Sequence, residues 1–427
     1  MTDRAYFVAD VDLDAHALRR GASALASTIP GICIRFGTSR RGEIWFERGA
    51  GMAVEEIDFR DSPESDLPIM YSAHVKLRRN QGFDLAGGPL FGLDLLRFRS
   101  CTILHVWRFH QYLSGRAENA VMSLLIEAAQ GKPIPSWDWQ LNRWDICRSQ
   151  SESRLRPTER SRRHVGRVLS TMGTSKGLTG YGSSSATNPL SVSGRAEYRL
   201  RGTARDLESA AWRARVTPYV LHLAAYCLVV GAMIERQAVV LSTPFSAVDG
   251  VIRADDVGNW GYDGYICVDW GSVREFGELA RVVMREAKSA EASIVSHEEF
   301  ISQLGYITSD LPIAHSFAES APIGMDGGDE VLKPAPSSHR VPGAITFEGC
   351  TGEMSEARLQ TWRWHGAPNL EVPQDRMTGV MHANTALYPH SLLTDMAARM
   401  RHVVESFIRD PTVTCKRLLK EIEGDRG

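Results

Sequence analysis

The chain has 427 residues, of which 43% are hydrophobic and 23% charged, and its formal net charge is −2. This composition is typical of a soluble globular protein, and the near-neutral charge provides no general attraction to nucleic acid or to an anionic membrane. Because one hydrophobic core seldom serves a chain of this length, we expect two lobes. The seven scattered cysteines predict reduced, buried thiols in a cytoplasmic protein, and the first residues contain no apolar signal core.

The first half contains a predicted strand followed by a loop and a helix. Thr102–Arg108 is a β-rich apolar run, which predicts a buried strand. His110 then lies where this strand ends in a loop, and Gly115 closes the turn beside Ser114. An amphipathic helix is predicted at Asn119–Ala129.

Residues 148–194 divide the chain. They contain seven arginines between Arg148 and Arg167, followed by a Gly/Ser-rich stretch, and we find no helical or strand period in them. We therefore predict an N-terminal lobe at 1–147, a linker or crossover at 148–194 and a C-terminal lobe at 195–427. The arginines are expected to be solvated, with contact to an acidic partner helix or a phosphate as the alternative.

The second half alternates strands and helices, which is the α/β pattern. Val216–Ile234 is about long enough to cross a bilayer, but Pro218 near its start and the β-rich run after it favour a buried helix. No metal-ligand spacing, P-loop, Rossmann glycines or Gly-x-Ser-x-Gly elbow is found. The other predicted elements are strands at 196–200 and 238–243, helices at 204–215, 273–292 and 392–407, and a segment rich in glycine and aromatic residues at 258–270.

The segment around His110 resembles a catalytic signature. Residues 109–115 read Phe-His-Gln-Tyr-Leu-Ser-Gly, which is similar to the His-His-x-x-x-Asp-Gly motif of nonribosomal peptide synthetase condensation domains. His110 and Gly115 match that motif, whereas Phe109 stands at the first His and Ser114 at the Asp. Residues 83–91 resemble the family's F-D-L-x-x-G-P-L-F segment, and residues 383–388 resemble its Y-N-T-D-L-F segment. Further matches lie at 11–18, 29–36 and 217–244.

This resemblance implies a fold and an activity. The fold is two chloramphenicol-acetyltransferase-like α/β lobes in a V-shaped pseudo-dimer, with His110 at their junction. The activity is that of a free-standing condensation-type acyltransferase in natural-product biosynthesis, with no cofactor of its own and no metal. It would take an acyl or aminoacyl thioester from the phosphopantetheine arm of a peptidyl or acyl carrier protein, or from a coenzyme A thioester. The acceptor would be a small-molecule amine or hydroxyl, and neither nucleic acid nor membrane is an expected partner.

A second hypothesis follows from the altered motif. Some synthetase domains with a similarly changed signature bind a partner enzyme, so the alternative is a catalytically silent condensation-like protein that recruits an enzyme to a carrier-bound peptide.

The resemblance also assigns roles within the loop. His110 would position the nucleophile or take its proton, and the Gly115 end of the loop would bring backbone amides to the developing oxyanion. By residue type alone, His110 is more often a satisfied histidine at a strand end. The family's Asp forms an ion pair that holds the loop. Ser114 carries no charge, so the anchoring must differ here.

Arg108 leaves two interpretations open. Strand alternation places it on the same face as His110, where a guanidinium would disfavour imidazolium and fill the substrate channel. Alternatively, it pairs with a carboxylate or with the pantetheine phosphate. Asn259, Trp260 and Tyr262 fall where the family has a loop lining the tunnel, and they predict either a substrate pocket or a packed loop.

Overall fold

The computed structural model describes most of the chain in two compact units. The first comprises the described residues up to Ser151, those between Val248 and Trp260, and a short strand at Lys333–Pro334; the second comprises the rest. The described residues are 2–8, 14–38, 44–48, 50–99, 101–109, 113, 115–134, 137–173, 193–245, 251, 256–258, 260–294, 313–316, 333–334, 368–372, 376–384 and 388–424.

The first unit is built on a five-stranded sheet with the order β11-β1-β6-β5-β4. Strands β1, β6 and β5 are antiparallel neighbours, whereas β4 runs parallel to β5. The strands are β1 (Thr2–Val8), β4 (Ala53–Asp58), β5 (Phe91–Arg97), β6 (Thr102–Arg108) and β11 (Lys333–Pro334), with a separate hairpin of β2 (Ile34–Thr38) and β3 (Ile44–Arg48). The helices are α1 (Ala15–Thr28), α2 (Leu67–Gln81), α3 (Gly115–Ala129) and α4 (Trp137–Leu155).

Helices cover both faces of this sheet. Leu104 and Val106 of β6 belong to the core that α1 and α3 cover, whereas Ile103 packs with α2 in a smaller core on the other face. Helices α1 and α3 approach closely at Gly21, where an added Cβ would lie 2.9 Å from the carbonyl oxygen of Leu125. Strand β6 is therefore buried on both sides, and the strand predicted at these residues is confirmed.

The second unit contains a six-stranded sheet with the order β7-β13-β12-β10-β8-β9. Its three middle strands β12, β10 and β8 are parallel, and the outer pairs are antiparallel. The strands are β7 (Ser193–Arg199), β8 (Ala238–Phe245), β9 (Tyr262–Asp269), β10 (Ile313–Ser316), β12 (Asn369–Val372) and β13 (Thr378–Asn384). The helices are α5 (Glu159–Gly173), α6 (Ala204–Ala214), α7 (Pro218–Met233), α8 (Phe276–Glu291), α9 (His390–Arg409) and α10 (Cys415–Gly424).

Helix α7 forms the centre of the second unit's core. Thr217 caps it and Pro218 occupies its first turn, where a missing N–H costs nothing. All its residues except Tyr219 and Ala232 are buried. Its polar residue His222 is satisfied, because Nδ1 accepts from the Tyr198 hydroxyl at 2.7 Å and Nε2 donates to the carbonyl of Arg376 at 2.8 Å. The buried helix predicted at 216–234 is thus confirmed.

Among the described residues no single helix is long and apolar enough to cross a membrane. The bent pair α6 and α7, at 77° to each other, passes the length and composition test jointly. The six cysteines that the structure describes are free, and all but Cys101 are buried. Burial raises the pKa of the Cys415 thiol to about 11, so this thiol stays protonated near neutral pH.

The prediction that residues 148–194 lack regular structure is wrong for their first part. They include the end of α4 and all of α5, and the two units divide between Ser151 and Glu152, inside α4. In α5 only a narrow stripe is apolar, with Val165 and Val168 buried against β8 and β9. The four arginines of α5 are all exposed, and they make this stretch resemble a polar linker. Residues 174–192 lie outside the described part of the chain.

Candidate functional site

Two backbone hydrogen bonds involve the described residues of the loop that carries the signature. Strand β6 ends at Arg108, and the N–H of Phe109 then donates to the carbonyl of Leu90 at 2.8 Å. Leu113 is fully buried, and its N–H donates to the carbonyl of Phe109 at 3.3 Å. His110 and Ser114 lie outside the described residues, so their roles remain predictions.

Phe109 replaces the first histidine of the signature with an apolar contact. Its ring centroid lies 5.6 Å from that of Phe83, which in turn lies 5.9 Å from the Trp107 ring. Phe83 belongs to the segment at 83–91 that resembles the family's second motif. These two resembling segments are therefore in contact in the structure.

Arg108 is committed to a carboxylate. Its Nη1 lies 2.9 Å from Oε2 of Glu118, and the two side chains are 3% and 0% exposed. The contact arises because Arg108 shares the α3-facing side of β6 with Leu104 and Val106. Glu118 lies in the first turn of α3, where the helix dipole favours a negative charge. Of the alternatives that the sequence left open for Arg108, the structure contains the pairing with a carboxylate.

The sequence contains one signal for Glu118. The apolar period predicts a helix that begins at Asn119, one residue beyond Glu118, whereas α3 begins at Gly115. An acidic residue in the first turn of a helix that follows a strand-end arginine is a candidate ion-pair partner. Gly115 is the first residue of α3, and the first N–H groups of a helix have no partner within the helix; its role at the oxyanion stays a prediction.

The structure describes two of the three predicted tunnel-lining residues. Trp260 falls in the first unit and Tyr262 in the second, and Asn259 lies outside the described residues. Gly258 has a φ of 144°, and an added Cβ there would come within 2.5 Å of the Trp260 indole. Tyr262 is buried, with the Arg154 guanidinium 5.5 Å from its ring centroid. The role of these residues in lining a substrate tunnel stays a prediction.

A buried carboxylate that sequence reasoning missed lies on the other face of β6. Asp94 of β5 is fully buried. Its oxygens accept from Arg78 at 2.8 and 2.7 Å and from the Trp107 indole at 3.1 Å, and they lie 2.7 Å from Nε2 of His74 and 3.3 Å from Nδ1 of His105. Trp107 reaches Asp94 across Gly92, where a side chain would collide with the indole.

The ligand atoms of His74, Asp94 and His105 lie within 4.8 Å of one another, which is compatible with a metal site. The Arg78 guanidinium, however, binds both oxygens of Asp94. A divalent cation here would face this guanidinium in a buried, weakly screened environment, which is strongly unfavourable. The donor set therefore fits a satisfied polar network better than a metal centre.

The charge state of Asp94 follows from its partners. Burial by itself would raise the pKa of this carboxyl, but hydrogen bonds from His105, His74 and Arg78 hold the pKa well below its ordinary value. Asp94 is therefore ionised, and it stabilises the first unit above the ordinary carboxyl pKa of about 3.9. This stabilisation is lost as the pH falls below that value towards the folded-state pKa.

Asp94→Asn should lower the free energy of unfolding at pH 7 by about 3–5 kcal/mol, because it removes the charge that Arg78 and two histidines surround. The difference between wild type and variant should shrink as the pH falls below about 4. Urea unfolding at both pH values measures this. Asp58→Asn is the control, since Asp58 is paired with Arg60 at the surface and its pKa is about 2. An equally large effect in this control would contradict the assignment.

Neither a protein-family model nor a curated protein matches the chain. Among solved structures it is similar to the first condensation domain of the calcium-dependent antibiotic synthetase, in complex with a substrate analogue, at 15% identity and a TM-score of 0.68, covering 97% of this chain and 92% of that one. It is also similar to the starter condensation domain of rhizomide synthetase, in complex with a CoA ligand, at 15% identity and a TM-score of 0.69, with 97% and 91% coverage.

A third similar structure is the SgcC5 protein from Streptomyces globisporus, in complex with a naphthyl ethanediol, at 13% identity, a TM-score of 0.69 and coverage of 96% and 93%. An epimerization domain and the X-domain from teicoplanin biosynthesis match as well, with TM-scores of 0.65 and 0.67. TM-scores of 0.65–0.69 over most of both chains show a shared fold, and identities of 12–15% show no more than the fold. The chain therefore has the two-lobed, chloramphenicol-acetyltransferase-like α/β fold of synthetase condensation domains.

Proposed function

We propose that this protein is a condensation-type acyltransferase of natural-product biosynthesis. It joins an acyl or aminoacyl group, held as a thioester on the phosphopantetheine arm of a carrier protein, to an amine or a hydroxyl. The observation that supports this proposal is the condensation-domain fold, together with a signature-like sequence at residues 109–115 that directly follows the end of β6. A cytoplasmic location is part of the proposal, in keeping with the free cysteines.

The chemistry requires one proton acceptor and one oxyanion site. The nucleophile attacks the thioester carbonyl, and a neutral His110 imidazole takes the proton that the nucleophile loses. The tetrahedral oxyanion is stabilised by backbone N–H groups at the start of α3, beside Gly115. Collapse of the intermediate breaks the C–S bond, and the pantetheine thiolate leaves with the proton that His110 held. The products are an amide or ester and a free thiol.

His110→Ala should slow acyl transfer by about 10²–10⁴-fold and leave carrier binding nearly unchanged, because the imidazole acts on the reacting atoms. Single-turnover transfer from a loaded carrier protein measures the rate, and calorimetry measures binding. Ser114→Ala is the companion variant and should have the smaller effect, since a single hydrogen bond contributes roughly 0.5–1.5 kcal/mol. A wild-type transfer rate in His110→Ala would show that this histidine has no catalytic role and is only a residue at the end of a strand.

Arg108→Ala should lower the transfer rate rather than raise it. A guanidinium that is 3% exposed and paired with Glu118 holds the end of the loop in place. If the guanidinium instead blocked the substrate channel, its removal would open the channel and raise the rate. Intact-mass measurement of acceptor acylation, with wild type and variant at equal loaded-carrier concentration, decides the direction. Faster transfer by the variant would favour the blocking role.

The chemistry of the thioester does not distinguish two donors, because a carrier protein and coenzyme A present the same pantetheine thioester. We expect transfer from a loaded carrier protein to exceed transfer from the matching coenzyme A thioester at equal concentration, since the carrier adds a docking surface. Mass spectrometry of acceptor products with both donors tests this. Equal rates would favour coenzyme A as the donor, a ligand type that the rhizomide synthetase domain holds in its solved structure.

The second candidate is a silent domain that recruits a partner enzyme. The altered signature at Phe109 and Ser114 favours it, together with the similarity to the teicoplanin X-domain. Absence of turnover with every carrier and both acceptor types, combined with tight binding of a partner enzyme, would replace the acyltransferase proposal with this one.

A further inference from the structure

The loop between β6 and α3 lacks the carboxylate that its signature resemblance leads one to expect. Ser114 stands at that position and carries no charge. A loop that must hold a reacting side chain within a fraction of an ångström needs support from the residues around it. The structure provides a carboxylate outside the loop, on the helix that follows it.

Glu118 and Arg108 lie on either side of this loop. Arg108 is the last residue of β6, and Glu118 is the fourth residue of α3. Their contact of 2.9 Å fixes the separation of the two loop ends, with nine residues of chain between them. Both side chains are almost wholly buried, so solvent does not screen the attraction.

The elements that carry the pair are themselves immobilised. Strand β6 is held by its neighbours β1 and β5, and next to Arg108 the Trp107 indole donates to Asp94. Helix α3 packs on α1 at the close contact of Gly21 with Leu125. The pair therefore connects two rigid supports, and breaking it releases the loop rather than a whole element.

We infer that Glu118 is a positioning residue for His110. Through Arg108, it anchors the signature loop in place of the missing loop carboxylate. This inference rests on the proposed function, since its consequence is a rate. Because Glu118 is fully buried, it acts through the geometry of the loop.

Glu118→Gln should lower the rate of acyl transfer by about 10- to 100-fold at saturating loaded carrier, because a small misplacement of a catalytic group costs about this much. The carrier concentration at half-maximal rate should stay within about twofold, since docking is untouched. In the His110→Ala background the same change should have no further effect, because Glu118 acts only through that imidazole. Glu118→Asp, which keeps the charge, should fall between wild type and Glu118→Gln.

Asp395→Asn is the control for loss of a carboxylate that pairs with a buried arginine. Asp395 is 46% exposed and pairs at 2.9 Å with Arg399, which is only 6% exposed, and this pair lies within α9 of the second unit. Its removal should lower thermal stability without changing the transfer rate. A merely structural role for Glu118 would give the same result in both variants.

Hydrogen exchange tests the anchor without any turnover. Glu118→Gln should increase exchange in residues 109–117 relative to residues 121–129 of the same helix. If the wild type transfers nothing from any carrier, the proposed function fails, and the exchange result alone decides the anchor. Unchanged exchange, a wild-type transfer rate in Glu118→Gln, or an equal loss of rate in the His110→Ala background would each overturn the inference.

Discussion

The structure of the first unit depends on the need to pair buried charges on both faces of one strand. Strand β6 presents His105 and Trp107 to the Asp94 network on one face and Arg108 to Glu118 on the other. Removing one partner of a buried pair typically costs about 3–5 kcal/mol. Each charge therefore tolerates little displacement of its neighbours. A strand held in this way ends in a defined place, and the signature loop starts from that place.

This arrangement offers a physical account of a loop with an altered signature. The resemblance places an ion-pairing carboxylate inside the loop, whereas this chain has a hydroxyl there and a buried carboxylate at the start of the following helix. Phe109, in place of a histidine, packs on Phe83. The two departures from the motif thus coincide with contacts that hold the loop by other means. Loss of motif residues need not mean loss of the geometry they supported.

In the second unit, apolar and polar side chains have different roles from those in the first. Its core is almost entirely apolar around α7, and the one buried histidine of that helix is satisfied by Tyr198 and a backbone carbonyl. Arginines of α5 point to solvent or to Glu286, while Val165 and Val168 face β8 and β9. In this unit the polar groups form hydrogen bonds and ion pairs around helices that apolar contacts already hold. In the first unit buried polar groups determine where strand β6 ends and the loop begins.

Local pattern was sufficient for the elements whose period is strong. The sequence predicts the strand at 102–108, the buried helix at 216–234 and the order of segments typical of a condensation fold. It can do so because alternation, length and spacing are properties of contiguous residues. The same logic failed for α5, because its four exposed arginines make the helix polar on average, although its buried residues keep a helical spacing.

What the sequence by itself determined is the fold class, the strand that leads to His110 and the two departures from the signature. Only the tertiary structure decided which charges meet. Asp94 is brought to His74 and Arg78, 20 and 16 residues away, by packing α2 on the sheet. Arg108 meets Glu118 because α3 begins earlier than its apolar period indicates and packs on the same face of β6. The partner of a buried charge depends on which elements pack together, and a linear pattern carries no record of that.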